Sequence, residues 1–139
     1  MIRFLISFLV LCCTSGISLL AQSVPVDSPV PAMGPFQLPK QADFAGKWIR
    51  SDGQYRIEVE FTDKGVTAKY FNPAAIRVES AVFEGEGETL ALTIVLRDKG
   101  YPGSTYQLRY VPEHDIIAGY YTIPDQQPTQ VYFLRNTGD

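Results

Sequence analysis

The sequence predicts an all-β fold: an antiparallel up-and-down meander of about eight short strands closing into a small barrel. Three observations predict it. Apolar and polar residues alternate with period two along successive short runs. The connections between runs are brief and rich in Gly, Pro and Asp. No amphipathic helical pattern appears after residue 43.

The first run, Ala45 to Ser51, carries Trp48. Tyr55-Arg56-Ile57-Glu58-Val59-Glu60-Phe61 then alternates throughout, with Tyr55, Ile57, Val59 and Phe61 on one face. A strand with one dry and one wet face requires this pattern. Thr62-Asp63-Lys64-Gly65 is a turn, and Val66, Ala68 and Tyr70 continue the dry face beyond it. Asn72-Pro73-Ala74 stops that strand, because proline cannot donate to a ladder. The run Ile76 to Glu84 shifts phase at Ser80-Ala81, which predicts a bulge. Gly85-Glu86-Gly87-Glu88 is a hairpin loop, and Thr89 to Arg97 puts Leu90, Leu92, Ile94 and Leu96 on one face. Asp98 to Gly103 reads as a six-residue turn, followed by Tyr106, Leu108 and Tyr110 in alternation. Ile116 to Ile123 and Thr129 to Arg135 complete eight runs. Short connections favour antiparallel neighbours, and closure into a barrel would remove exposed edges. An open sheet or an eight-stranded sandwich is the competing arrangement.

The chain of 139 residues is one domain's worth, and not all of it belongs to the strands. Arg3, the apolar run Phe4 to Leu11, the patch Ile17 to Leu20 and the small residue Ala21 form the pattern of a secretory signal peptide over residues 1–21. Cleavage there removes both cysteines and leaves no membrane-spanning stretch. Residues 22–42 hold Pro25, Pro29, Pro31, Pro35 and Pro39 and read as an extended spacer or a partner-docking arm. The barrel domain then occupies residues 43–139 of an exported protein, periplasmic or extracellular.

Composition excludes several functions. The net charge of −3, without any block of like charge, argues against a nucleic-acid partner, which requires a basic surface. Two Cys and one His are too few for a zinc site or a disulfide framework. That histidine, His114, sits between Glu113 and Asp115 in a turn, where a solvated side chain is expected. Glu84, Glu86 and Glu88 share a hairpin without calcium-loop spacing. No catalytic constellation, metal site or cofactor motif is evident, and the expectation is a protein that is not an enzyme.

Gly46-Lys47-Trp48 on the first strand, with Arg135 near the end of the last, resembles the lipocalins and the wider calycin superfamily. The resemblance implies that Trp48 plugs the closed barrel end and that Arg135 packs across its indole. Tyr70-Phe71-Asn72-Pro73, Tyr101-Pro102-Gly103-Ser104-Thr105-Tyr106 and Gly119-Tyr120-Tyr121 look most like a group of short exported bacterial proteins with small lipocalin-like barrels and no settled function. The chain departs from the lipocalins in lacking the helix beside the barrel and the disulfide.

Eight tyrosines, all between Tyr55 and Tyr132, are the unusual feature. Tyrosine joins apolar area to one hydroxyl, which suits a partly wet cavity or a binding rim as well as a core. Tyr70, Tyr106 and Tyr110 are candidate ligand contacts on inward faces, and Tyr101 is one at a barrel-end loop. The expected function is a binding module for a small apolar or aromatic ligand. The alternative is an envelope protein-interaction or protease-inhibitor-like module using the Pro-rich arm or the barrel-end loops.

Overall fold

The computed structural model describes residues 37–138, so the expected signal peptide and most of the Pro-rich segment lie outside the described residues. Nine antiparallel strands form one nearly closed, barrel-shaped sheet. They are β1 (Gly46–Arg50), β2 (Arg56–Thr62), β3 (Gly65–Asn72), β4 (Ala74–Ile76), β5 (Val78–Glu84), β6 (Ala91–Asp98), β7 (Tyr101–Val111), β8 (Ile116–Thr122) and β9 (Thr129–Arg135). Helical backbone among the described residues is confined to 3-10 turns at Gln41–Phe44, Gly87–Thr89 and Pro112–His114.

Each strand pairs with its sequence neighbour, and β1 also pairs with β9 through Trp48 opposite Arg135. The exception is β4 and β5, which share no ladder although only Arg77 separates them. There the sheet has a seam, with β3 and β5 approaching each other across it.

Three boundaries differ from the sequence expectation. The single run from Ile76 to Glu84 is divided at Arg77, whose N–H donates to Asp98 Oδ2 at 2.8 Å while its carbonyl accepts from Arg97. This division makes nine strands rather than eight, and the bulge falls at Glu79, between Val78 and Ser80. Thr89 belongs to a 3-10 turn, so β6 begins at Ala91. Residues Asp98 to Gly103 are not a six-residue turn: Tyr101 pairs with Asp98 and Pro102 with Arg97. Pro102 is tolerated because the β6–β7 register shifts between Leu96 and Arg97, and Gly103 supplies φ of 97° beside that irregularity.

The inner faces form one core. Ile57, Leu92, Ile94, Leu96, Leu108, Ile117 and Phe133 are completely buried and fill the middle of the barrel. Full burial of each such side chain contributes about 1.5–3 kcal/mol. Gly119 is required where β8 crosses closest to β7, since a Cβ there would lie 1.9 Å from the Gln107 carbonyl oxygen.

One end is plugged. The turn Gln41–Phe44, held by Lys40 N–H donating to Asp43 Oδ2 at 2.7 Å, delivers Phe44 beneath the sheet. Phe44 meets Phe83 edge-on with centroids 5.1 Å apart and lies 6.1 Å from Tyr110. Trp48 is fully buried, and its Nε1 donates to the Phe44 carbonyl at 2.8 Å. The Arg135 guanidinium sits 4.1 Å from the indole centroid. It donates to the carbonyls of Ala45 and Asp43, at 2.7 and 2.9 Å, and pairs with Asp115 at 2.8 Å.

Candidate functional site

The end opposite the plug is open. It gathers the last residue of β1, the residue before β2, the end of β3, the β6–β7 turn and the β8–β9 loop around a cavity of about 390 Å³. Five phenols line it: Tyr55, Tyr70, Tyr101, Tyr106 and Tyr121. Arg50 lies among them, and Asn72, Gln126 and Gln127 stand at the rim.

The floor is a pair of buried tyrosines. Tyr70 on β3 and Tyr106 on β7 come from opposite sides of the barrel, and their hydroxyls are 3.2 Å apart. Arg50 Nη1 donates to the Tyr106 hydroxyl at 3.2 Å. The rings continue upward as an aromatic wall: Tyr106 to Tyr121 at 4.5 Å between centroids, Tyr70 to Tyr101 at 5.8 Å. Below, Tyr106 meets Phe133 edge-on at 5.5 Å, which joins the site to the core. Asn72 Nδ2 donates to the Tyr101 hydroxyl at 2.7 Å and ties the β6–β7 turn to the end of β3.

Arg50 is held from three sides. Its Nε and Nη2 donate to the carboxylate of Asp52, the latter at 2.9 Å, and its guanidinium lies 4.0 Å from the Tyr55 ring centroid. The bond to Asp52 raises the guanidinium's pKa above its ordinary value, and Arg50 holds the Asp52 carboxyl below the usual carboxylate range. Burial pushes the phenols of Tyr70, Tyr106 and Tyr121 upward. At neutral pH these phenols are therefore protonated and able to donate.

Of the residues singled out in the sequence, Tyr70, Tyr101 and Tyr106 meet at this mouth. Tyr101 is the first residue of β7 rather than part of a loop. Tyr110 is not at the mouth. It lies at the plug, 6.3 Å from Trp48, with its hydroxyl donating to Asp115 at 2.9 Å. Sequence reasoning missed Arg50, Tyr121 and the glutamines of the β8–β9 loop. The signal for Arg50 was present: it stands two residues after Trp48 on one strand, so both side chains face inward.

His114 is exposed in the turn Pro112–His114. A second depression of about 370 Å³ lies on the outer face of β6–β8 around exposed Tyr120, but it has no guanidinium and no aromatic wall. Comparison with protein-family models, curated proteins and solved structures gave no match to this chain.

Proposed function

We propose that this chain is an exported binding module whose open barrel end receives a small aromatic ligand. One observation carries the reading: five phenols and one guanidinium converge on a concave mouth above a filled core. Binding pockets for small molecules combine apolar or aromatic walls with a few convergent polar groups, in volumes of about 300–1,000 Å³. The mouth has that composition and lies within that range. Because side chains occupy the middle of the barrel, the ligand sits at the rim and not deep inside. The stacked Trp48–Arg135 pair supports the resemblance to calycin barrels, and export rests on the pattern of residues 1–21.

The test is a nuclear magnetic resonance titration of the chain with a panel of one-ring and two-ring aromatic compounds. Shifts confined to the residues of the mouth, Arg50, Tyr55, Tyr70, Tyr101, Tyr106, Tyr121 and the β8–β9 loop, are expected. Shifts centred on the outward Tyr120 and Tyr132, or none with any compound, would overturn the reading.

A further inference from the structure

We infer that the ligand of the mouth is an aromatic carboxylate, its ring against the phenols and its single negative charge at Arg50 and the Tyr70–Tyr106 hydroxyls. This rests on the reading of the mouth as a ligand site and adds its chemical class.

Donors outnumber acceptors at the floor. A guanidinium carries five N–H groups and no acceptor. Three of its nitrogens donate here, Nε and Nη2 to Asp52 and Nη1 to Tyr106, which leaves one N–H on each terminal nitrogen without a partner among the described residues. The paired hydroxyls of Tyr70 and Tyr106 have two protons between them, and their mutual bond uses one. The bond from Arg50 occupies a lone pair of Tyr106 and takes up no proton. Whichever hydroxyl donates to the other, one phenolic proton is left seeking an acceptor.

No lining residue is acidic. A carboxylate complements this arrangement: it accepts only, through two oxygens, and its bonds to a guanidinium and to hydroxyls are charge-assisted. Asp52 already offsets part of the Arg50 charge, so one negative charge matches the site better than two. A cationic ligand is disfavoured, since the guanidinium occupies the Tyr55 face. Space is sufficient for the ring, because a cavity of about 150 Å³ already accepts benzene.

The experiment compares benzoate with benzamide and benzyl alcohol, which share its ring but lack the charge, in calorimetric titrations of the full chain. Benzoate is expected to bind about tenfold tighter than either analogue, and the preference should weaken as salt rises. Arg50→Gln should reduce that preference to about twofold or less, and Tyr106→Phe should weaken benzoate about fivefold while preserving the ring. If Arg50→Gln fails to fold by circular dichroism, the salt dependence and Tyr106→Phe decide. Equal affinity for all three compounds overturns the carboxylate assignment and leaves the mouth a ligand site. Binding of none of the three at millimolar concentration overturns the carboxylate assignment, and overturns the ligand site as well when the wider one-ring and two-ring panel is also silent.

Discussion

The Arg135 guanidinium lies 4.1 Å above the indole of Trp48, its opposite number in the β1–β9 ladder. One side chain thereby links the last strand, the first strand and the turn that plugs the barrel, through its stacking and its bonds to Asp43, Ala45 and Asp115. Lysine has neither the planar face nor the fork. Arg135→Lys is expected to lower unfolding free energy by about 2 kcal/mol, because two carbonyls at the plug lose their charged donors. Urea denaturation followed by Trp48 fluorescence measures it. A loss within error of zero would show that the plug is held by Phe44 packing alone.

Asp115 carries the charge partner of Arg135 at φ of 48°, a backbone region that asparagine also tolerates. Arg135 holds the Asp115 carboxyl below the ordinary carboxylate value. A depressed folded-state value stabilises above the unfolded-state pKa, and the contribution disappears as pH falls through the folded value. Asp115→Asn should therefore cost up to about 1 kcal/mol at pH 7, the limit for a half-exposed pair. The difference between the two proteins should close in acid. Denaturation curves at neutral and strongly acidic pH test the sign.

The mouth behaves oppositely in alkali. Burial raises the phenols of Tyr70 and Tyr106, so the folded state holds these protons more tightly than the unfolded chain. Their contribution is complete below an ordinary tyrosine value of about 10 and is lost as pH rises above it. Absorbance at the phenolate band should show two classes of tyrosine. The buried class ionises together with loss of the β-sheet circular dichroism signal. Ionisation of Tyr70 and Tyr106 before any unfolding would contradict the floor geometry.

Glycines divide sharply by position. Gly119→Ala should cost about 2 kcal/mol or more, because the new methyl would overlap the β7 backbone at Gln107. Gly100→Asn should cost less than about 1 kcal/mol, since asparagine tolerates a left-handed turn. Gly100 has φ of 83° and open space around it. Thermal melts of the two variants make the comparison.

Inner and outer faces were legible in the sequence wherever alternation was clean. Tyr55, Ile57 and Val59 on one run, and Leu90 to Leu96 on another, face inward as their period implies, whereas Phe61, expected on the same dry face, is exposed at the end of its strand. Depth along the barrel was not legible. Tyr106 and Tyr110 share a face, but four residues of extended chain separate them by about 13 Å, enough to put one at the mouth and the other at the plug. Pro102 hid the start of β7, because the register shift that accommodates it depends on the partner strand. The break at Arg77 was hidden likewise, being set by bonds to residues 97 and 98 across the sheet. Arg50 was overlooked because a charged residue suggests solvent, whereas its neighbour Trp48 fixes the phase.

The single tryptophan stands at the plug, and the five clustered phenols stand at the other end of the same sheet. The two ends are consequently separable by colour. Light absorbed only by indole reports whether the plug is seated, whatever occupies the mouth. Phenol absorbance carries the five tyrosines of the mouth together with Tyr110 at the plug and the outward Tyr120 and Tyr132, so its change is read against the indole band. One unlabelled sample can thus reveal whether a guest arriving at one end tightens or loosens the other.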